Sequence, residues 1–225
     1  KIPSGEINNY PLLIKLGKMK KEIILSTGMS TMQEIQDALR ILIRSGTSKK
    51  KITLLHCHSA YPTKLKDVNL LAMRTMNKKF GTNIGYSDHT EGFETSICAV
   101  ALGAKVIEKH FTLSNSSFGP DHRASLNPNN FKNMIKIIRN VETLLGSTNK
   151  KPQKEELKNI RLVRKSIVAI KNIKKNELLN SKNISLKRPG TGIQGDKWLK
   201  ILNKKSSKSY KVGQFIKEKI WKKYL

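Results

Sequence analysis

The chain is poor in cysteine, in aromatic side chains and in acid. Its two cysteines, Cys57 and Cys98, are too few among 225 residues for a disulfide framework, so a reducing cytoplasm is expected and a disulfide-stapled scaffold is excluded. No run of 18 or more apolar residues occurs, which removes a transmembrane helix. The opening Lys1-Ile2-Pro3-Ser4-Gly5 lacks the apolar core of a secretory leader. Aromatics make up 6% within an apolar content of 37%, which is lean but enough for a core. Against 16 Asp and Glu stand 44 Lys and Arg, a formal charge of +28. An excess of that size can mark a nucleic-acid footprint. Here it is nearly all lysine, spread from Lys15 to Lys223, with no arginine cluster or interleaved aromatics. Lysine rises together with Asn and Ile, as AT-rich coding produces. Neither nucleic acid nor a membrane is therefore expected as a partner, and the basic field favours a small anionic substrate.

What is present is an alternation of short apolar runs and amphipathic stretches. Lys1 to Glu6 reads as a strand end entering a polar loop, followed by a helix over 10–18. Glu22 to Ser26 reads as a buried strand ending in Thr27-Gly28-Met29. Thr31-Met32-Gln33-Glu34 is a capping box opening a helix that Gly46 stops. Ile52 to His56 is the next strand and Leu70 to Phe80 the next helix. Ile84–Ser87 and Val106–His110 are two more strands, separated by one crossover helix over 93–102. Asn127-Pro128 starts a further helix that ends at Gly146. Strands and helices alternating at this spacing predict an α/β fold with a parallel sheet. Each of the five strand ends carries polar groups, as in a (β/α)₈ TIM barrel, whose catalytic groups come from many strand ends. Five βα units leave three to be supplied upstream, so the chain is expected to begin inside a longer barrel and to fold poorly and be inactive alone.

Beyond Gly146 the pattern changes. Residues 147–159 read as an aperiodic linker. From 160 to 225 a small, mostly β domain is expected, with strands at Ser166–Ile170 and Ile184–Leu186 and a turn-rich Lys187 to Ile193.

His89 and His110 are the sharpest candidates for chemistry. Parallel neighbouring strands place both at one sheet edge, where open and closed α/β sheets bind ligands. Two imidazoles suit a divalent metal with open positions for substrate or water; a hydrogen-bonded pair at a pocket rim is the alternative. Asp88 and Glu108 beside them can orient the ligands or serve structure alone. His56 and His58 are expected on one strand face, leaving Cys57 toward the helices as an inert thiol. Lys1, Ser4 and Ser26-Thr27-Gly28 are pieces of an anion cradle, and Glu6 nearby can act as a general base. Arg188, ahead of Pro189-Gly190, is projected from a turn and suits bidentate recognition.

Taken in order, several strings carry a family resemblance. They are Ile2-Pro3-Ser4-Gly5-Glu6-Ile7-Asn8-Asn9, Leu25-Ser26-Thr27-Gly28-Met29, Leu55-His56-Cys57 with Tyr61-Pro62, and Gly85-Tyr86-Ser87-Asp88-His89-Thr90. They continue with Glu108-Lys109-His110-Phe111-Thr112, Gly119-Pro120-Asp121-His122 and Lys187-Arg188-Pro189-Gly190-Thr191-Gly192. The chain resembles the bacterial sialic acid synthase family, N-acetylneuraminate and legionaminic acid synthases. The resemblance implies a TIM barrel, its C-terminal part over 1–146, followed by an antifreeze-like (SAF) domain. It implies condensation of phosphoenolpyruvate with an N-acetylmannosamine-type sugar, a divalent metal that is typically manganese (Mg²⁺ or Co²⁺ as alternatives), and a domain-swapped homodimer. By matching position, His89 and His110 hold the metal, and Lys1, Ser4, Ser26, Ser59 and Ser87 line the phosphoenolpyruvate site. Glu6 stands near the metal and the reacting carbons, Asp121 lies on the sugar side, Tyr61 lines the pocket, and Arg188 reaches the sugar's N-acetyl group across the dimer. Three positions depart from the pattern: Ser114 where aspartate is common, Ala60 where glutamate is frequent, and Asn176 in place of a turn glycine. A barrel aldolase using pyruvate through a Schiff-base lysine, or a basic polyanion-binding module, are the competing classes.

Overall fold

The computed structural model describes residues 1–219; the end of the expected second domain, 220–225, lies outside the described residues. The chain divides into two compact units, Lys1–Ser147 and Thr148–Leu225.

In the first unit local chemistry and element boundaries agree. Asn9 accepts from the Leu12 amide at 3.2 Å and starts α1 (Tyr10–Lys18). After β1 (Ile23–Ser26), Thr31 and Glu34 form the reciprocal capping box of α2 (Met32–Arg44). Then come β2 (Ile52–Cys57), α3 (Leu71–Phe80), β3 (Asn83–Asp88), α4 (Glu94–Ala101), β4 (Ile107–Lys109) and α5 (Pro128–Leu145). Asn127 caps α5 by accepting from Asn130 N at 3.0 Å.

The strands form one parallel sheet in the order β1-β2-β3-β4. Alternate residues Ile23, Leu25, Ile52, Leu54, Ile84 and Tyr86 are buried against apolar side chains of α1, α2, α3 and α4. Leu54 is fully buried, and cutting such a side chain back to alanine costs about 2–5 kcal/mol. The opposite face carries Ser26, Cys57, Ser87 and Glu108. Close approach of β3 to its neighbours demands a glycine: a Cβ on Gly85 would sit 2.5 Å from both Leu55 Cδ2 and the Val106 carbonyl.

The first expected strand shrinks to a single parallel bridge from Ile2 to Leu25. Pro3 has no N–H to continue a ladder, and Ser4–Glu6 turns into a 3₁₀ helix. The sheet is thus an open, parallel half-barrel rather than a closed eight-stranded one among the described residues.

The expected linker is corrected over its second half. Residues from Lys154 onward form α6 (Lys154–Val163), the Glu156 carboxylate accepting from Gln153 N at 2.7 Å. Gln153-Lys154-Glu155-Glu156 is itself a capping box, with acid in the first turn favouring the helix dipole. In the second unit β5 (Ser166–Ala169) pairs antiparallel with β6 (Ile184–Lys187). Isolated bridges Val168–Phe215, Ile173–Tyr210 and Leu178–Lys205 extend the β structure, and α7 (Trp198–Ile201) contributes to a small core of Ile167, Ile173, Leu179, Ile184, Ile201 and Ile216. Asn176, standing at the expected glycine, adopts φ +69°, a left-handed conformation asparagine tolerates better than most residues. Among the described residues no helix is long and apolar enough to cross a membrane.

Candidate active site

Register does what spacing along the chain only suggests. Ser87 on β3 lies beside Glu108 on β4, and its hydroxyl donates to Glu108 Oε1 at 2.7 Å. Lys1 Nζ, arriving from the far side of the sheet, donates to both carboxylate oxygens at 2.7 and 2.5 Å. Burial alone would raise the Glu108 carboxyl, but the hydrogen bonds from Lys1 and Ser87 outweigh it and hold it below the usual carboxylate range. An ammonium and a hydroxyl are thereby fixed on one carboxylate at the sheet's carboxyl edge.

A second cluster adjoins β1. Gly28 N donates to Ser4 Oγ at 2.9 Å, and Cys57 Sγ lies 3.3 Å from the same oxygen. A Cβ on Gly28 would come within 2.9 Å of Ser4 Oγ and 3.2 Å of Cys57 Sγ, so this contact needs glycine. Cys57 therefore faces the site and not the helices, correcting the expected orientation. It is His56 that lies on the helix face, with Nε2 2.9 Å from the Val68 carbonyl and its ring beside Tyr86. Burial holds His56 below its ordinary value. Period two puts His56 on the face of Leu54, which packs on the helices.

The histidines meet as expected. The His89 and His110 ring centroids are 5.3 Å apart and edge-on, and Tyr61 lies 4.1 and 5.4 Å from them. His89 Nδ1 is 2.6 Å from the His58 carbonyl, which only accepts, so that nitrogen carries the proton. Burial pushes the His89 imidazole down, and neighbouring His110 adds to this against the His58 carbonyl. Nε2 is left bare toward Ser87 Oγ at 3.4 Å, whose own proton goes to Glu108. Asp121 Oδ2 stands 3.8 Å from His110 Nδ1, beyond a direct hydrogen bond. Burial raises the Tyr61 phenol, with Cys57, Asp121 and Glu108 adding to it. The Tyr61–Pro62 peptide that presents this ring is cis.

This donor set fits a divalent cation as two imidazoles with one tautomer locked by a carbonyl, the arrangement that orients metal-bound histidine. Among the described residues no group of three or more His, Cys, Asp or Glu side chains can hold a metal, so further donors would come from water or substrate.

Other candidates stand apart. Ser26 is buried on the site face beyond Ile2, whose carbonyl takes its amide. Ser59 is exposed in the loop after β2. Glu6 accepts from Asn9 Nδ2 at 2.6 Å, and no contact joins it to the histidines among the described residues. Arg188 belongs to the second unit, where its Nε donates to the Val163 carbonyl at 2.9 Å. Asp88 makes no hydrogen bond to a histidine ring: it is buried on the helix face, accepting from Ser96 Oγ at 2.6 Å and Thr90 Oγ1 at 2.7 Å.

Residues 1–150 match the NeuB family and residues 164–219 the SAF domain. The chain is similar to the N,N'-diacetyllegionaminic acid synthase of Campylobacter jejuni, 48% identical over 97% of this chain and 65% of that protein. It is also similar to the synthase of the same name from Legionella pneumophila, 42% identical over 95% of this chain and 60% of that one. The chain thus spans about two thirds of the length of these curated relatives, at 65% and 60%. In structure it resembles an N-acetylneuraminic acid synthetase from Leptospira borgpetersenii solved with citrate, with 35% identity and TM-score 0.66 over 71% of this chain and 55% of that one. The parallel sheet with its paired histidines, and the small β unit that follows in the chain, thus correspond to two matched models, and the chain belongs to the NeuB family.

Proposed function

We propose that the protein carrying this chain condenses phosphoenolpyruvate with N-acetylmannosamine, or a 2,4-diacetamido-trideoxy analogue, to a nine-carbon 2-keto acid and phosphate. The observation that carries the reading is the Lys1–Glu108–Ser87 cluster standing beside the His89–His110 pair at one sheet edge. That juxtaposition supports a phosphate site next to a site for an electrophile. The names of the relatives and the motif strings support it.

Lys1 and the Ser4, Ser26, Ser59 and Ser87 hydroxyls bind the phosphoenolpyruvate, with Glu108 keeping Lys1 and Ser87 in register. Tyr61 walls the pocket and Asp121 meets the sugar hydroxyls. A divalent metal held by His89 and His110, manganese first, supplies Lewis-acid polarisation of the aldehyde oxygen when bound. Carbon 3 of phosphoenolpyruvate attacks the aldehyde carbon, water adds to carbon 2 with Glu6 as base, and the tetrahedral product expels phosphate. The chain forms the C-terminal half of a TIM barrel, and Arg188 serves the N-acetyl group in a domain-swapped homodimer of a cytoplasmic enzyme. Against an aldolase, the buried sheet lysine Lys109 lies on the helix face, bonded to the Thr90 carbonyl.

The test is phosphate release by the intact protein with Mn²⁺, phosphoenolpyruvate and a panel of N-acetylated amino sugars. Release with one sugar is expected; none with any of them overturns the reading.

A further inference from the structure

We propose that the buried pair Asp88–Lys109 is a positioning device that sets the spacing of His89 and His110; this rests on the metal reading above. The two residues are register partners on β3 and β4, and each immediately precedes one of the histidines. Their side chains are 0% and 1% exposed, with Nζ 3.4 Å from Oδ2. The pair grips both sides of His89. Asp88 Oδ1 accepts from the Thr90 amide at 2.9 Å and from its hydroxyl, while Lys109 Nζ donates to the Thr90 carbonyl. Asp88 Oδ2 also accepts from Ser96 Oγ on α4, tying the strand ends to the crossover helix. A buried pair of this kind is no bargain for stability, because removing two charges from water costs as much as their attraction returns. What it provides is directional: the two strand ends cannot slide past each other without breaking both contacts of Lys109, to Asp88 and to Thr90, while the three bonds that Asp88 accepts from Thr90 and Ser96 fix its own carboxylate. The imidazoles, one residue further on, inherit that geometry.

Manganese binding to the intact protein, by titration calorimetry, is read beside thermal unfolding. In Asp88→Leu/Lys109→Met, apolar groups replace the pair, a change such sites commonly tolerate. Its Tm is expected to stay near the parent's while Mn²⁺ affinity falls about 10-fold or more. A folded double variant with the parent's affinity overturns the proposal. Ser96→Ala removes one hydrogen bond only and decides the matter should the double variant not fold: roughly threefold weaker binding is expected, and unchanged affinity overturns it. His89→Ala is expected to abolish binding. A parent that binds no Mn²⁺ sinks the metal reading itself, and the pair's role with it, a result distinct from unaltered binding in the variants.

Discussion

Ser87 Oγ and Glu108 Oε1 are 2.7 Å apart across neighbouring parallel strands, and Lys1 closes on the same carboxylate from more than a hundred residues away. The carboxylate that gathers both donors is therefore on β4, the strand that leads into His110.

Glu108→Gln keeps the shape and removes the charge that holds Lys1. Lys1 and Glu108 are 36% and 40% exposed, so the ion pair is worth no more than about 1 kcal/mol and unfolding should barely move. The KM for phosphoenolpyruvate is expected to rise about 10-fold, as for loss of a charge-assisted contact, with kcat changing less. Steady-state kinetics on the intact protein read this; an unaltered KM removes Glu108 from the phosphate site.

Gly28→Ala drives a methyl into Ser4 Oγ. Phosphoenolpyruvate binding should weaken several-fold, and Gly28→Ala should cost little more once Ser4 is already alanine, because the two act on one contact. Additive losses in calorimetric titrations would show that Ser4 does not serve the ligand.

Burial keeps His89 below its ordinary value of 6.5. With a lowered folded pKa, the unfolded chain takes up the proton first as pH falls, so the stability linked to His89 is complete above 6.5 and lost below it. Glu108 acts in the same sense from 4.5 downward. Mn²⁺ binding, which needs neutral imidazole, should persist at pH 6.5 and fail only at lower pH. Titrations across pH 5 to 8 test it, and a midpoint above 6.5 contradicts it.

Asn176 sits at φ +69°. Asn176→Ala should destabilise the second unit by about 1 kcal/mol, the cost of a left-handed alanine, visible in denaturant midpoints. An unchanged midpoint would mean the turn relaxes.

Local chemistry was enough to place the helices, because caps and stops act within a turn: Thr31 with Glu34, Asn127 with Pro128, and Gly46 were all legible. The helix start overlooked at Gln153 carried the same signature in a weaker residue. Period two likewise gave the buried strands and set the two histidines at a common edge. The side-chain partnerships of the site were not legible, since they depend on register between strands and on the chain's return. Nothing near Glu108 in the chain announces Lys1, and nothing beside Asp88 announces that it turns to Ser96 and Lys109 and away from the pocket. Cys57 shows the limit most plainly, its direction settled by the pleat and by Ser4 and Gly28 packing over it. Residue types and short spacings thus declared the fold class and the chemistry on offer. Which groups share a proton, a charge or a face was decided by strand register, because hydrogen bonds and ion pairs form over a few ångströms of space whatever their distance along the chain.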